Sequence, residues 1–168
     1  MEDLDIKQIT ISDIENNYKN LGNQLFERDI IKHLSFEIGL FNKRNVEMDY
    51  LCIFKNNINI GCGILVYKDK RKKQEFAYEK QLINLPNSCL LKNCYIEKPF
   101  RNKGYFSLMF SNLKQKAKSH GFEKMVLAVN KNNINAFQIF KHLGFKPLKS
   151  IFVNDENFIV MEKELFDV

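Results

Sequence analysis

The chain has 168 residues, of which 45% are hydrophobic and 27% are charged, a composition that is typical of a globular protein and excludes a disordered one. We expect a single domain over 1–168, because a chain of this length can bury a proper core. Its formal charge of 26 − 20 = +6 suits an anionic ligand, but lysine and asparagine are abundant along the whole chain. We therefore interpret the charge as a compositional bias and expect no nucleic-acid partner.

The apolar runs and the cysteines exclude further classes of protein. No segment approaches the length of about 20 apolar residues that spans a bilayer, and the start, MEDLDIKQIT, contains no signal-like run. The four cysteines form no C-x-x-C pair, which indicates neither a zinc site nor a disulfide framework. We expect a cytoplasmic protein with no metal and no membrane partner. These cysteines are Cys52, Cys62, Cys89 and Cys94.

Hydrophobic periodicity in the first part of the chain predicts a strand, two helices and a pair of strands. The first strand covers 4–10, one helix begins at 14–18, and a second covers about 23–41. The paired strands cover 50–55 and 59–68. The Asn-Asn sequence between them predicts a hairpin turn, because asparagine tolerates left-handed conformations.

Two glycines and a basic run lie in and after the second strand of this pair. Gly61 and Gly63 weaken the strand locally and predict a bulge or close packing. The run KDKRKK at 68–73 is interpreted as a solvated loop tip rather than a specific anion site. The segment 74–85, which carries Glu75 and Glu79, fits either a strand or a short helix.

A strand, a short basic loop and an amphipathic helix are predicted next. The strand begins at 88 or 90 and ends at 96, and the loop after it contains Pro99 and Gly104. A helix N-terminus preceded by glycine presents unpaired N–H groups and the positive end of the helix dipole, so it suits a phosphate or diphosphate. The alternative is an ordinary strand-to-helix turn with basic surface residues. Apolar residues recur at helical spacing after the loop: Phe106, Met109, Phe110, Leu113 and Ala117.

The last part of the chain continues the alternation of helix and strand. Glycine and asparagine mark its helix boundaries, since glycine ends helices and asparagine caps their first turn. The predicted features are a helix end near Gly121, a strand at 124–129, a helix from Asn132 or Asn133 to Leu143, and strands at 151–154 and 158–163.

Two motifs in this order resemble one known superfamily. The arrangement Arg101-x-x-Gly104-x-Phe106 resembles the phosphate-binding motif of the GNAT superfamily of acyl-CoA-dependent N-acyltransferases, although Phe106 replaces the usual small residue at its end. The stretch Leu127–Phe145 resembles the second signature of the same superfamily. The residues that carry this second match are Val129, Asn130, Asn133, Ala136, Phe140, Leu143, Gly144 and Phe145.

The resemblance implies an α/β fold and a cofactor site. The fold is expected to be a GNAT-like single domain with a mixed, mostly antiparallel, splayed sheet flanked by helices. Acetyl-CoA is the implied co-substrate. The residues expected to contact it are the main chain of Cys94, Tyr95 and Ile96, the loop residues Arg101, Asn102, Lys103, Gly104, Tyr105, Phe106 and Ser107, and then Asn133 at the pantetheine arm and Phe140 near the sulfur.

The resemblance also implies a reaction, in which a primary amine of an acceptor attacks acetyl-CoA directly. The acceptor stays open among small amines, amino sugars, antibiotics and protein amines, and a homodimer is possible. Phe140 has no hydroxyl where the superfamily often has tyrosine, so another group or water would protonate the leaving thiolate. Glu97 is the candidate base, with a surface carboxylate as its alternative role. We interpret His33, His120 and His142 as structural.

Other classes of function stay open beside this reaction. Phe140 and the missing base motivate a catalytically idle acyl-CoA-binding or regulatory module. The net charge and the run at 68–73 motivate a nucleic-acid binder, whose binding would be sensitive to salt.

Overall fold

The computed structural model describes residues 3–9, 48–67 and 87–166 of the chain. The predicted helices at 14–18 and 23–41, the basic run at 68–73 and the segment 74–85 lie outside the described residues, as do His33, Glu75 and Glu79.

The described residues form one mixed sheet of seven strands, together with two α-helices and a 3-10 helix. The elements are β1 (Leu4–Ile9), β2 (Met48–Lys55), β3 (Ile58–Val66), β4 (Ser88–Ile96), a 3-10 helix (Lys98–Phe100), α1 (Tyr105–Ser119), β5 (Lys124–Asn130), α2 (Ile134–His142), β6 (Lys146–Val153) and β7 (Glu156–Glu164). The strand order is β1-β2-β3-β4-β5-β7-β6.

The strand directions confirm the mixed, mostly antiparallel α/β sheet. The pairs β1–β2, β2–β3, β5–β7 and β6–β7 are antiparallel, whereas β4 and β5 run parallel. The parallel register comprises three pairs, from Ser88–Lys124 to Leu90–Val126, although β4 continues to Ile96 and β5 to Asn130. The parallel pairing therefore covers only the first three residues of each of these two strands.

The chain divides into two compact units. The first unit comprises Met1–Val66 and Lys92–Leu113, and the second comprises Tyr67–Leu91 and Lys114–Val168. Both β4 and α1 pass from one unit into the other. The single domain over 1–168 stays a prediction.

In the first unit, a tight hairpin joins β2 and β3. Asn56 and Asn57 have φ of +49° and +63°, as a two-residue type I′ turn requires, so the predicted hairpin is confirmed. The register shifts beside Gly61, because Ile53 pairs with Gly61 whereas Phe54 pairs with Asn59. The predicted bulge is therefore present.

The same unit shows why β3 carries glycine where most strands carry side chains. A Cβ at Gly61 would lie 2.6 Å from the carbonyl oxygen of Tyr95, and one at Gly63 would lie 2.7 Å from Cδ1 of Leu113. The two glycines let β4 and α1 approach the backbone of β3 closely, which confirms the predicted close packing. The buried apolar residues of this unit include Leu51, Ile53, Ile60, Ile64, Leu65, Ile96, Met109, Phe110 and Leu113.

In the second unit, β7 lies between β5 and β6 and pairs with both. The turn between β6 and β7 is tight, since Asn154 and Asp155 have φ of +50° and +62°. β6 begins at Lys146, earlier than the predicted start at 151. The residues from 146 to 150 are exposed and show no apolar alternation, so hydrophobic periodicity could not reveal this half of the strand.

Candidate functional site

The loop between β4 and α1 contains two residues with positive φ and leads into the N-terminus of α1. Asn102 and Gly104 have φ of +60° and +80°, and the N–H of Leu108 donates to the carbonyl of Gly104 at 3.1 Å. The N–H groups before this bond belong to the first turn of α1, where an α-helix has no internal acceptors for them. Apart from Gly104 and its two chain neighbours, no described residue has an atom within 4 Å of the position that a Cβ of Gly104 would take. The backbone is thus open to a ligand at this point.

Three cations lie on aromatic rings around this helix head. The Nζ of Lys55 is 5.6 Å from the ring centre of Tyr105, and the Nζ of Lys103 is 5.8 Å from that of Phe100. The rings of Phe100 and Tyr105 are 6.4 Å apart. We call Lys55, Phe100, Lys103 and Tyr105 the basic loop cluster. It places positive charge beside the positive end of the helix dipole, which favours an anion.

The third cation, Arg101, ties the loop to the end of β4. Its Nε donates to the carbonyl of Ile96 at 2.8 Å, and its guanidinium lies 5.1 Å from the ring centre of Tyr95. Arg101 therefore lies against the last residues of β4. Its predicted role as a ligand-binding residue stays a prediction.

A hydroxyl and a carboxylate come together next to Arg101. The hydroxyl of Tyr95 donates to Oε2 of Glu97 at 3.3 Å. The backbone N–H of Glu97 donates to the carbonyl of Ile60 at 2.8 Å, and this bond holds the main chain of Glu97 against β3. The structure thus gives Glu97 a defined position and a partner with a proton. A carboxylate in such a place can accept a proton from a nearby ammonium group.

Cys94, in the same strand, packs as a small apolar residue. Its Sγ would lie 3.3 Å from a Cβ at Gly63, on the side of β3 that faces Met109 of α1. Enclosure of the thiol away from water raises its pKa to about 12. The thiol therefore stays protonated near neutral pH and is a poor nucleophile.

The remaining two predicted site residues, Asn133 and Phe140, lie in the second unit. Oδ1 of Asn133 accepts from the N–H of Ala136 at 3.1 Å, so Asn133 is the N-cap of α2. The ring of Phe140 packs edge-on against the ring of Phe145 with 5.6 Å between their centres. Phe145 is buried, and this contact holds α2 to the core of the unit.

The two described histidines each contact one neighbouring group, and their interpretation as structural residues stays a prediction. The ring of His120 lies 4.3 Å from that of Tyr67, and Nδ1 of His142 lies 2.7 Å from the carbonyl oxygen of Gln138. Within the described ranges, no group of three or more His, Cys, Asp or Glu side chains could hold a metal ion.

A comparison of the sequence with models of known protein families identifies one family. Residues 23–145 match the model of the acetyltransferase (GNAT) family, which is more than half of the chain. The chain belongs to the GNAT acetyltransferase family. The resemblance of the two sequence motifs is thereby confirmed at the level of the family.

Solved structures share the fold of this GNAT protein at low sequence identity. A GNAT-family protein from Desulfovibrio desulfuricans aligns with a TM-score of 0.69 and 6% identity over 98% of this chain and 100% of its own. PaiA N-acetyltransferase from Thermoplasma acidophilum, in complex with coenzyme A, aligns with a TM-score of 0.63 and 17% identity over 96% and 99%. A GNAT family acetyltransferase from Elizabethkingia anophelis with acetyl-CoA bound aligns with a TM-score of 0.62 and 16% identity over 96% and 97%. A search of curated proteins gave no significant match.

Sequence reasoning found the loop of this GNAT protein but missed one of its cations. Lys55 ends β2, far from the loop in sequence, and no motif surrounds it. The antiparallel β2–β3 pairing and the close approach of α1 to β3 bring Lys55 to Tyr105. A cation at the turn-side end of a predicted hairpin was the available signal. None of the helices in the described ranges is both long and apolar enough to cross a membrane.

Proposed function

We propose that this GNAT protein is an N-acetyltransferase that transfers the acetyl group of acetyl-CoA to a primary amine by direct attack. The observation that carries the proposal is the open backbone at Gly104, with its positive φ at the head of α1. The cations of the basic loop cluster surround it. A diphosphate needs both features, namely N–H donors within reach and positive charge.

The residues of the loop fit a coenzyme A diphosphate. The N–H groups of residues 102–107 would donate to the phosphate oxygens, and Lys103 would add charge. In β4, the main chain from Cys94 to Ile96 would hydrogen-bond the amides of the pantetheine arm, because unpaired strand groups are strong donors and acceptors. The predicted contacts of Asn133 and Phe140 with the same arm belong to this proposal.

Acetyl-CoA supplies an acyl thioester, whose C–S bond breaks as the amine forms a new C–N bond. Before this attack the acceptor's ammonium group must lose a proton, and Glu97 is the residue that we assign to accept it. Its hydrogen bond from Tyr95 orients the carboxylate. The coenzyme A thiolate leaves and takes its proton from water or another group. Cys94 takes no part as a nucleophile, because its raised pKa keeps the thiol protonated, which favours direct transfer over an acyl-cysteine route.

A catalytically idle acyl-CoA-binding module is the second candidate. Phe140 offers no hydroxyl to protonate a leaving thiolate, and its ring packs on Phe145 in the core of the second unit. A ring without an ionisable group at this position fits a protein that binds the thioester without turning it over. Thiolates leave readily, however, so the missing acid does not by itself exclude turnover.

The experiment that separates the two is a binding titration followed by a turnover assay. Acetyl-CoA binding is measured by calorimetry, and release of coenzyme A is then followed with polyamines, amino sugars, aminoglycosides and peptides that carry free amines. Binding with amine-dependent release supports the enzyme, and binding without release for any amine supports the idle module. No binding of acetyl-CoA removes both.

The matched variant for the turnover assay is Glu97→Gln, which keeps the shape of the side chain but cannot accept the proton. We expect kcat/KM to fall about 100-fold or more when the general base is lost, with unchanged affinity for acetyl-CoA.

Several expectations from the sequence stay predictions. They are a primary amine as the acceptor, a homodimer, a cytoplasmic location and the absence of nucleic-acid and membrane partners.

A further inference from the structure

The strand β6 forms one edge of the described sheet. It pairs with β7 on one side, and no strand among the described residues lies on its other side. Alternate residues of an edge strand point their N–H and C=O groups away from the sheet, where these groups can pair with another strand. β6 has eight residues, Lys146–Val153, which is long enough for a second strand to pair along it.

β6 also presents apolar side chains to solvent on one face. Phe152 is 60% exposed and Leu148 is 43% exposed, whereas Ile151 is buried. Because side chains of a strand alternate between its two faces, Leu148, Ser150 and Phe152 share the face opposite to that of Ile151. We call these three residues the edge stripe. Exposed apolar side chains on an edge strand favour contact with another strand.

The other edge strand of the sheet, β1, has a different surface. Its Lys7 and Asp5 form an ion pair at 3.0 Å, and about half of each side chain is exposed. Charged side chains on an edge strand oppose pairing, because pairing would remove them from water. The edge stripe of β6 contains no charged residue, so this protection is missing from that face of β6.

Lysine and proline in the first half of β6 restrict how a second strand can pair with it. Lys146 and Lys149 are exposed, and Pro147 has no N–H to donate. These residues disfavour a register that places two lysines opposite each other. They do not protect the whole strand, because Ser150–Val153 contains neither a charge nor a proline.

Two copies of β6 satisfy these restrictions in one antiparallel register. With a two-fold axis at Ser150, each residue before the axis comes opposite the residue that follows the axis at the same separation. Leu148 then lies opposite the partner's Phe152, and Lys149 lies opposite the partner's Ile151. An axis at Lys149 would instead place two lysines together, and an axis at Ile151 would leave Leu148 without an apolar counterpart.

The same axis brings opposite charges together at both ends of the pair. Lys146 comes opposite the partner's Asn154, which is followed by the partner's Asp155. Asp155 is exposed in the tight turn after β6, where its φ is +62°. Exposed ion pairs contribute little to affinity, but charges of opposite sign help to fix a register. The edge stripe therefore supplies the affinity, and the charges favour this axis over others.

We propose that this chain forms a homodimer in which two β6 strands pair antiparallel about a two-fold axis at Ser150. The edge stripes of the two copies then lie side by side on one face, and each Phe152 packs against the partner's Leu148. A two-fold interface of this kind uses the same patch on both chains, so the assembly closes at two copies. The inference goes beyond the proposed function and depends on no residue of the cofactor site.

The first test is the oligomeric state of wild-type protein and of Phe152→Lys, measured by analytical ultracentrifugation over a range of concentrations. Wild type should sediment as a dimer. The lysine removes an apolar contact and adds a charge, and the two-fold axis repeats the change, so the Kd of the dimer should rise about 10-fold or more. The matched control is Leu4→Lys, which makes the same kind of change at an exposed residue of β1 and should leave the Kd unchanged.

The second test examines the register through a disulfide. In Ser150→Cys the two new thiols lie opposite each other, where the Cα atoms of an antiparallel pair are about 4.5–5.5 Å apart. A disulfide spans about 4.4–6.8 Å between Cα atoms, so oxidised glutathione should link the two chains, as a non-reducing gel would show. The matched control is Ser111→Cys at an exposed position of α1, which should give no linked dimer.

Three results would overturn the inference. They are a wild-type chain that stays monomeric at every concentration, a Phe152→Lys dimer that is as tight as wild type, and Ser150→Cys chains that link no better than Ser111→Cys chains. If Phe152→Lys failed to fold, the disulfide test would still decide. None of these measurements involves acetyl-CoA, so their failure leaves the proposed function intact.

Discussion

Replacing Gly104 by leucine tests the assigned helix head most directly. The new side chain would meet no described atom within 4 Å at its Cβ, so it should disturb no packing. It would project into the space that we assign to the diphosphate and would hold phosphate oxygens away from the N–H groups of the first turn of α1. The expected result is a folded protein with a weakened cofactor site.

The expected losses of stability and of affinity for acetyl-CoA have separate causes. The φ of +80° at Gly104 is unfavourable for leucine by about 1–2 kcal/mol, which lowers the Tm by roughly 2–8 °C in a chain of this size. Loss of one hydrogen bond to a charged phosphate weakens binding by about 1.5–3 kcal/mol, or roughly 10- to 150-fold in Kd. The loss of affinity should therefore be evident well below the unfolding temperature.

The assay is calorimetric titration of acetyl-CoA, with a thermal melt of each protein. The matched control is Gly121→Leu at the other end of α1, where φ is +78° and again no described atom lies within 4 Å of a Cβ. Both variants should lose similar stability, and only Gly104→Leu should lose affinity. If the folded Gly104 variant binds with the wild-type Kd, or both variants lose affinity equally, the assigned helix head is wrong.

Three further predictions concern packing, capping and ionisation. Gly61→Ala places a methyl group 2.6 Å from the carbonyl oxygen of Tyr95 and should lower the free energy of unfolding by about 1–3 kcal/mol; denaturant melts that match wild type would contradict this. Asn133→Ala removes the cap of α2 and should lower the same quantity by about 0.5–2 kcal/mol, whereas an unchanged Tm would argue against the cap. Burial raises the thiol pKa from 9.0 to about 11 for Cys52 and about 12 for Cys94. The folded chain then keeps protons that the unfolded chain loses, so between pH 9.0 and about 11 each thiol should lower stability by about 1.4 kcal/mol per pH unit, and Cys94→Ala should remove one such slope.

The stretch from β4 to α1 was predictable because its signals are local. The strand predicted with a start at 88 or 90 and an end at 96 matches β4, since an apolar run ends before Pro99 and Gly104. The helix start follows from glycine and from apolar residues at helical spacing, and Met109 and Leu113 are buried as predicted. The cap at Asn133 and the turn at Asn56 and Asn57 were predictable for the same reason.

The first half of β6 was not predictable in this way. Its residues from Lys146 onward are exposed and carry proline and lysine, so they show no strand pattern of their own. They are a strand because β7 offers hydrogen-bond partners beside them, with Lys146 opposite Glu162. Pairing between distant segments overrode local preference here.

By itself, the sequence determined the order of the elements in the described ranges, the glycine loop at the head of α1 and membership in an acetyltransferase family. These depend on spacing and on conformational preferences that act over a few residues. Only the tertiary structure decided three contacts or environments. The ammonium of Lys55 lies over the ring of Tyr105, Glu97 accepts a hydrogen bond from the hydroxyl of Tyr95, and Nδ2 of Asn93 is buried. Strand pairing brings together groups that are distant in sequence, and burial removes groups from water. A local sequence pattern predicts neither effect.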